Sequence, residues 1–138
     1  MKAFAIWLAI VAVIFGGYAL ITTMLRDTRQ VFVFVDSSLQ MKDVWSEVPR
    51  ELDRIDDREY TEFTLAHGQR QTRTVVSTGS SELTLVGVPP FAPCSFDGID
   101  QYPEAQDADE RILITTTDNA CSEQVAALTD WTIIELAP

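Results

Sequence analysis

The chain opens with a stretch in which polarity is almost absent. Residues 3–22, AFAIWLAIVAVIFGGYALIT, carry no charge. As a helix rising about 1.5 Å per residue, such a run spans about 30 Å, the hydrocarbon thickness of a bilayer. Trp7 and Tyr18 stand toward its two ends, where amphipathic rings favour the interface. The pattern predicts one transmembrane helix within residues 1–25, in contact with the lipid bilayer through residues 3–22. The run is longer than the apolar region of a cleaved signal peptide, and residues 20–24, LITTM, offer no small-x-small cleavage site. An uncleaved signal anchor is therefore expected.

Residues 26–30 read as a short polar linker, and at residue 31 the pattern changes. Val31-Phe32-Val33-Phe34-Val35 is a continuous β-branched and aromatic run, the signature of a strand buried on both faces. Asp36-Ser37-Ser38 ends it in a polar turn. Apolar residues then recur at Met41, Val44, Trp45, Val48, Leu52 and Ile55, which is helical spacing with a kink or restart expected at Pro49. Residues 60–66 and 72–77 read as strands joined by a turn at 67–70, a hairpin. Residues 82–88, ELTLVGV, read as a further short strand after a turn at 79–81.

Residues 89–110 show no periodicity and contain Pro89, Pro90, Pro93 and Pro103, so a long loop with at most one helical turn is expected. Arg111-Ile112-Leu113-Ile114-Thr115 is a second buried-type strand. A turn at 117–119, a helix over 122–130 and a terminal strand over 132–136 complete the chain. Strand, helix and hairpin followed by strand, helix and strand predict an α/β fold, with a small, mostly parallel central sheet flanked by helices. Residues 31–138 form one domain of ordinary size behind the anchor. In open α/β sheets, ligands bind beyond the carboxyl ends of the strands, which is where Asp36, Ser38 and Asp118 would lie.

Charge separates the two parts of the chain. All 21 acidic residues and nine of the ten basic ones lie from residue 26 onward, a net −12. Such a field repels nucleic acid, so no nucleic-acid partner is expected. The basic residues flanking the apolar run, Lys2 on one side and Arg26 and Arg29 on the other, leave its orientation nearly balanced. Cys94 and Cys121, the two cysteines, both lie in the acidic domain. An even count suits one disulfide in an oxidising compartment, and hence a domain on the non-cytoplasmic side, periplasmic or extracellular. A cytoplasmic domain with two reduced thiols is the alternative. A Cys94–Cys121 bridge would pin the long loop over the strand edge.

The residues also carry a resemblance. The run VFVFVDSSLQ resembles the first strand and the D-x-S-x-S metal motif of von Willebrand factor A-type domains, and ILITTTDN resembles that family's later strand ending in Thr-Asp-Gly. It covers residues 31–77 and 111–136. The third motif position is Gln40 rather than serine, and Asn119 stands where glycine follows the aspartate. The resemblance implies a shortened relative whose metal site is weakened or lost. It also implies Asp36, Ser38 and Asp118 as ligands of a divalent ion such as Mg²⁺, which takes hard oxygen donors. The plainer alternative has Asp36 and Ser38 capping one helix and Asp118 the next.

His67, the single histidine, reads as an exposed turn residue, which argues against a zinc site or a serine–histidine hydrolase. Asp56, Asp57, Glu59 and Glu62 read as a solvated face. The expectation is a non-enzymatic, single-pass membrane-anchored interaction module, an accessory subunit of a membrane protein complex. One alternative is a structural subunit acting mainly through its transmembrane helix. Another is a divalent-metal-dependent receptor or enzyme using Asp36 and Asp118.

Overall fold

The structure, a computed structural model, describes residues 2–24, 28–69, 72–78, 83–85, 87–118 and 120–138. In chain order its elements are α1 (Lys2–Met24), β1 (Arg29–Val35), α2 (Val48–Asp56), β2 (Thr61–Gln69), β3 (Thr72–Thr78), α3 (Pro103–Gln106), β4 (Glu110–Thr116), α4 (Ser122–Ala126) and β5 (Thr132–Leu136). Short 3-10 turns lie at Leu39–Asp43, Trp45–Glu47 and Ile99–Gln101.

The Val-Phe alternation of β1 places it at the centre of a five-stranded sheet of order β3-β2-β1-β4-β5. β1 pairs in parallel with β2 and β4, β4 pairs in parallel with β5, and only β3 runs antiparallel. Both faces of β1 are covered, one by each of two cores, which is why its sequence does not alternate with polar residues. Val31, Val33 and Val35 face a core completed by Met41, Val48, Leu52 and Ile55 from α2 and the turns before it. Phe32 and Phe34 face the other way, into an aromatic core with Phe96, Ile99, Leu113 and Trp131. There Phe32 meets Tyr102 and Trp131 edge-on at 6.3 and 5.9 Å. Full burial of each such phenylalanine stabilises the fold by about 1.5–3 kcal/mol. The α/β class and the mostly parallel sheet agree with the sequence reading.

The membrane expectation is corrected. α1 is a 23-residue helix on which Trp7, Ile14, Phe15 and Tyr18 stand exposed. Among the described residues, however, no helix is long and apolar enough to cross a membrane. The transmembrane helix, the membrane assignment and the signal anchor read from residues 3–22 therefore do not stand.

Other local differences have simple causes. The helix expected from residue 39 begins only at Val48, because Pro49 occupies the first turn of α2. Proline has no N–H to donate and its fixed φ suits a helix start, so here it initiates rather than kinks. Over 82–88 the described residues form no strand. Leu83 is buried and Leu85 packs on the α2-side core instead, so this apolar run serves as a plug. The linker over 26–30 and the hairpin turn lie partly outside the described residues, as do the turn at 79–81 and Asn119 entirely. α4 ends at Ala126, short of the expected residue 130, while Leu128 and Trp131 beyond it are buried against the aromatic core.

Candidate functional site

The chain leaves β1 for β2 on one side, while β4 lies on the other, so the carboxyl end of β1 is the sheet's switch point. Strand order reversal opens a crevice at such a point in open α/β sheets. Here it is filled by a row of buried polar side chains, Asp36, Ser37, Ser38, Thr115 and Thr116.

Asp36 organises the row. Its N–H donates to the Ile114 carbonyl at 2.9 Å, continuing the β1–β4 ladder by one step. The Ser38 N–H donates to its Oδ1 at 2.8 Å, which closes a tight Asx turn. The Thr115 hydroxyl donates to its Oδ2 at 2.8 Å. Ser37 donates its hydroxyl to the Gly68 carbonyl on β2, and Thr116 donates to the Leu136 carbonyl on β5 at 3.1 Å. The ends of four parallel strands are thus joined by side-chain hydrogen bonds, which satisfies groups whose burial would otherwise be costly.

Among the described residues, Ser38 Oγ, Gln40 Oε1 and His67 Nδ1 are buried and meet no hydrogen-bond partner. His67 is not the exposed turn residue expected. It lies within β2, in register with Val35 on one side and Thr74 on the other. Burial lowers its pKa below the ordinary 6.5 and favours neutral imidazole. The sequence gives little sign of this, since polar residues 67–69 are held in β2 by backbone pairing to both neighbours.

The long loop crosses this edge. Ala92 bridges Ser38 in parallel, its N–H donating to the Ser37 carbonyl at 2.9 Å, and the Leu39 N–H donates to the Ala92 carbonyl at 3.1 Å. Phe96 packs on Phe34 at 6.4 Å, and its N–H donates to Gln124 Oε1 at 2.8 Å. Cys94 and Cys121 form a disulfide that ties the loop to the start of α4. On this braced segment Phe91 and Leu39 stand exposed, 67% and 53% accessible. Neither was singled out from sequence, although an aromatic residue inside a proline-rich loop is the signal that was available.

Of the three ligands implied by the von Willebrand A-type resemblance, the structure brings together Asp36 and Ser38. Asp118 lies exposed on the turn after β4, its N–H 3.4 Å from Thr116 Oγ1. Helix capping is not what these residues do. Ser38 and Cys121 occupy the positions before the first 3-10 turn and α4, and neither makes a side-chain capping bond. Among the described residues, no group of three or more histidine, cysteine, aspartate or glutamate side chains is arranged to hold a metal ion. The fit to a divalent ion is partial: one buried carboxylate already accepting two hydrogen bonds, beside one hydroxyl without a partner.

Compared with known proteins, the chain matches no family model, no curated protein and no solved structure.

Proposed function

We propose that this chain is a protein-interaction module, an accessory subunit of a larger complex, which meets its protein partner through the loop-bearing edge of its sheet. The observation that carries the reading is the exposed pair Phe91 and Leu39. Single exposed apolar side chains are ordinary on protein surfaces. These two flank one backbone hydrogen bond, on a segment held by the Ser38–Ala92 bridge and the Cys94–Cys121 disulfide. An aromatic anchor that is already rigid loses little entropy on binding, and such residues dominate interface energies. We read the domain as a shortened relative of the von Willebrand factor A-type domain. The order of β1, α2, hairpin and β4, with Asp36 and Ser38 beyond β1, supports that reading. The disulfide supports a non-cytoplasmic, oxidising compartment.

A photo-crosslinking residue placed at Phe91 in the full chain, within the cells that make it, tests the proposal. A discrete crosslinked protein is expected. Leu39→Ser with Phe91→Ser should lose it while melting at an unchanged temperature. A strictly monomeric chain with no crosslinked partner would overturn the reading.

The second reading, a divalent-metal-dependent receptor, is favoured by one observation, the partnerless hydroxyl of Ser38 beside Asp36. Asp36 and Ser38 would hold an ion such as Mg²⁺ through oxygen, the donor such cations prefer. Calorimetric titration of the chain with Mg²⁺ and Mn²⁺ tests it, and absence of heat at millimolar concentration removes it.

A further inference from the structure

We infer that the free edge of β5 docks an extended segment of the protein partner, one presenting an aliphatic side chain toward α2 and a basic side chain toward Trp131. The inference rests on the interaction-module reading and names a surface and a partner chemistry for it.

β5 ends the sheet and pairs with β4 alone, in unbroken register from Ile112↔Thr132 to Thr116↔Leu136. Among the described residues, no backbone hydrogen bond reaches its outer side. Native edges are usually blunted by lysine, proline or a bulge. The opposite edge, β3, joins β2 across a register shift at Leu65/Ala66. β5, Thr-Ile-Ile-Glu-Leu, contains no lysine, no proline and no register shift. Ile133 and Ile134 are each only half buried, against the aromatic and the α2-side core respectively.

One cavity borders β5 itself and another borders Trp131, the residue just before it. The first, of about 370 Å³, lies between α2 and β5 and is lined by Ile55 and Ile134 together with Glu51, Arg54 and Arg58. The other, of about 220 Å³, is lined by Trp131, Asp100, Arg111 and Asp130. Successive side chains of a strand point to opposite faces. A segment laid along β5 therefore directs alternate side chains toward the α2 face, where Ile134 lies, and the aromatic face, where Ile133 and Trp131 lie, as in recognition by strand addition.

Charge selects the partner. Arg54 and Arg58, which line the larger cavity, already pair with Glu51 at 3.5 Å and Glu110 at 3.0 Å. Arg111 donates Nε to the Ala105 carbonyl and keeps its positive charge, so in the smaller cavity Asp100 and Asp130 outnumber it. Asp130 and Glu135 are exposed and have no ion-pair partner among the described residues. The chain as a whole carries −11. A basic segment is attracted to this edge, and a second copy of the chain is repelled from it.

Hydrogen exchange of the full chain tests the inference, with a capped nine-residue peptide of alternating valine and lysine as the probe. A control peptide has proline at its central valine, which keeps the charge but removes a pairing N–H. The alternating peptide should slow exchange at residues 132–136 at least tenfold and the control should not. Asp130→Lys with Glu135→Lys should weaken the peptide at least tenfold without lowering the melting temperature. Equal protection by both peptides, protection only elsewhere, or none would overturn the inference. Concentration-dependent protection of β5 without peptide would assign the edge to a second copy and overturn it as well. Photo-crosslinkers at Phe91 and Glu135 separate the two levels of the argument. Partner capture at Phe91 alone sinks the edge and leaves the module, whereas capture at neither sinks both.

Discussion

Thr115 donates its hydroxyl to Asp36 Oδ2 at 2.8 Å, tying together the ends of two parallel strands that lie 79 residues apart in sequence. Both residues are buried, 1% and 3% accessible, so neither can exchange this bond for water. Asp36→Ala removes the acceptor of both the Thr115 hydroxyl and the Ser38 N–H, and is expected to destabilise the fold by about 2–3 kcal/mol. Thr115→Val removes one donor and is expected to cost about 1 kcal/mol. In urea unfolding the double variant should fall short of the sum by more than about 0.5 kcal/mol, the sign of a direct coupling. Strict additivity would mean that the bond carries no energy.

The Cys94–Cys121 bridge closes a segment with a sequence separation of 27. In the chain-entropy account a loop of that size stabilises by roughly 3–4 kcal/mol. Cys94→Ser with Cys121→Ser should therefore lower the unfolding midpoint and raise protease sensitivity within residues 89–97. Unchanged cleavage of that segment would show that Phe96 and the Ala92 bridge hold it unaided.

His67 should make stability depend on pH. Burial lowers its pKa in the folded state below the ordinary 6.5, so the unfolded chain takes up the proton more readily. Its contribution is whole above about pH 6.5 and is lost as pH falls below that value. Carboxylates titrate lower in the acid range and superimpose their own slope. Comparison with His67→Gln isolates the imidazole: between pH 7 and 5 the parent should lose more stability than the variant. Parallel curves would rule out the imidazole as the source.

Gly68 allows β2 to approach the aromatic core closely. A Cβ built there would stand 3.0 Å from Phe34 Cζ. Phe34 is buried, with Phe96 and Tyr102 against its ring, and has little room to give way. Gly68→Ala is expected to destabilise by about 1–3 kcal/mol through overpacking. The same substitution with Phe34→Leu should recover part of the loss in thermal unfolding.

The parts that could be read from the sequence are those where local pattern and final environment agree. Val31 to Val35 and Ile112 to Ile114 announce strands buried on two faces, and they become the paired centre of the sheet. Met41, Val44, Val48, Leu52 and Ile55 announce a buried stripe, and all five are buried although only the last three belong to α2. The candidate site was half visible. Asp36 and Ser38 could be located from the end of the first strand. Thr115 could not, because a strand hydroxyl has no special meaning until the topology sets it against a carboxylate. His67 and Phe91 were hidden for opposite reasons: a polar residue is drawn inside by pairing on both sides, and an apolar one is held outside by a braced loop. In α1 the apolar composition was plain, but composition alone does not specify what surrounds a helix.

The pairing of β1 also sets an order of events during synthesis. Its register partners begin at Thr61 on one side and at Glu110 on the other. At about 5–20 residues per second, a ribosome that has just released Val31 needs on the order of 4–16 s to supply Glu110. For that time one flank of a valine and phenylalanine strand has no partner from its own chain. The nascent protein therefore depends on whatever shields such a strand, and the Cys94–Cys121 pair can close only after β4 has been made.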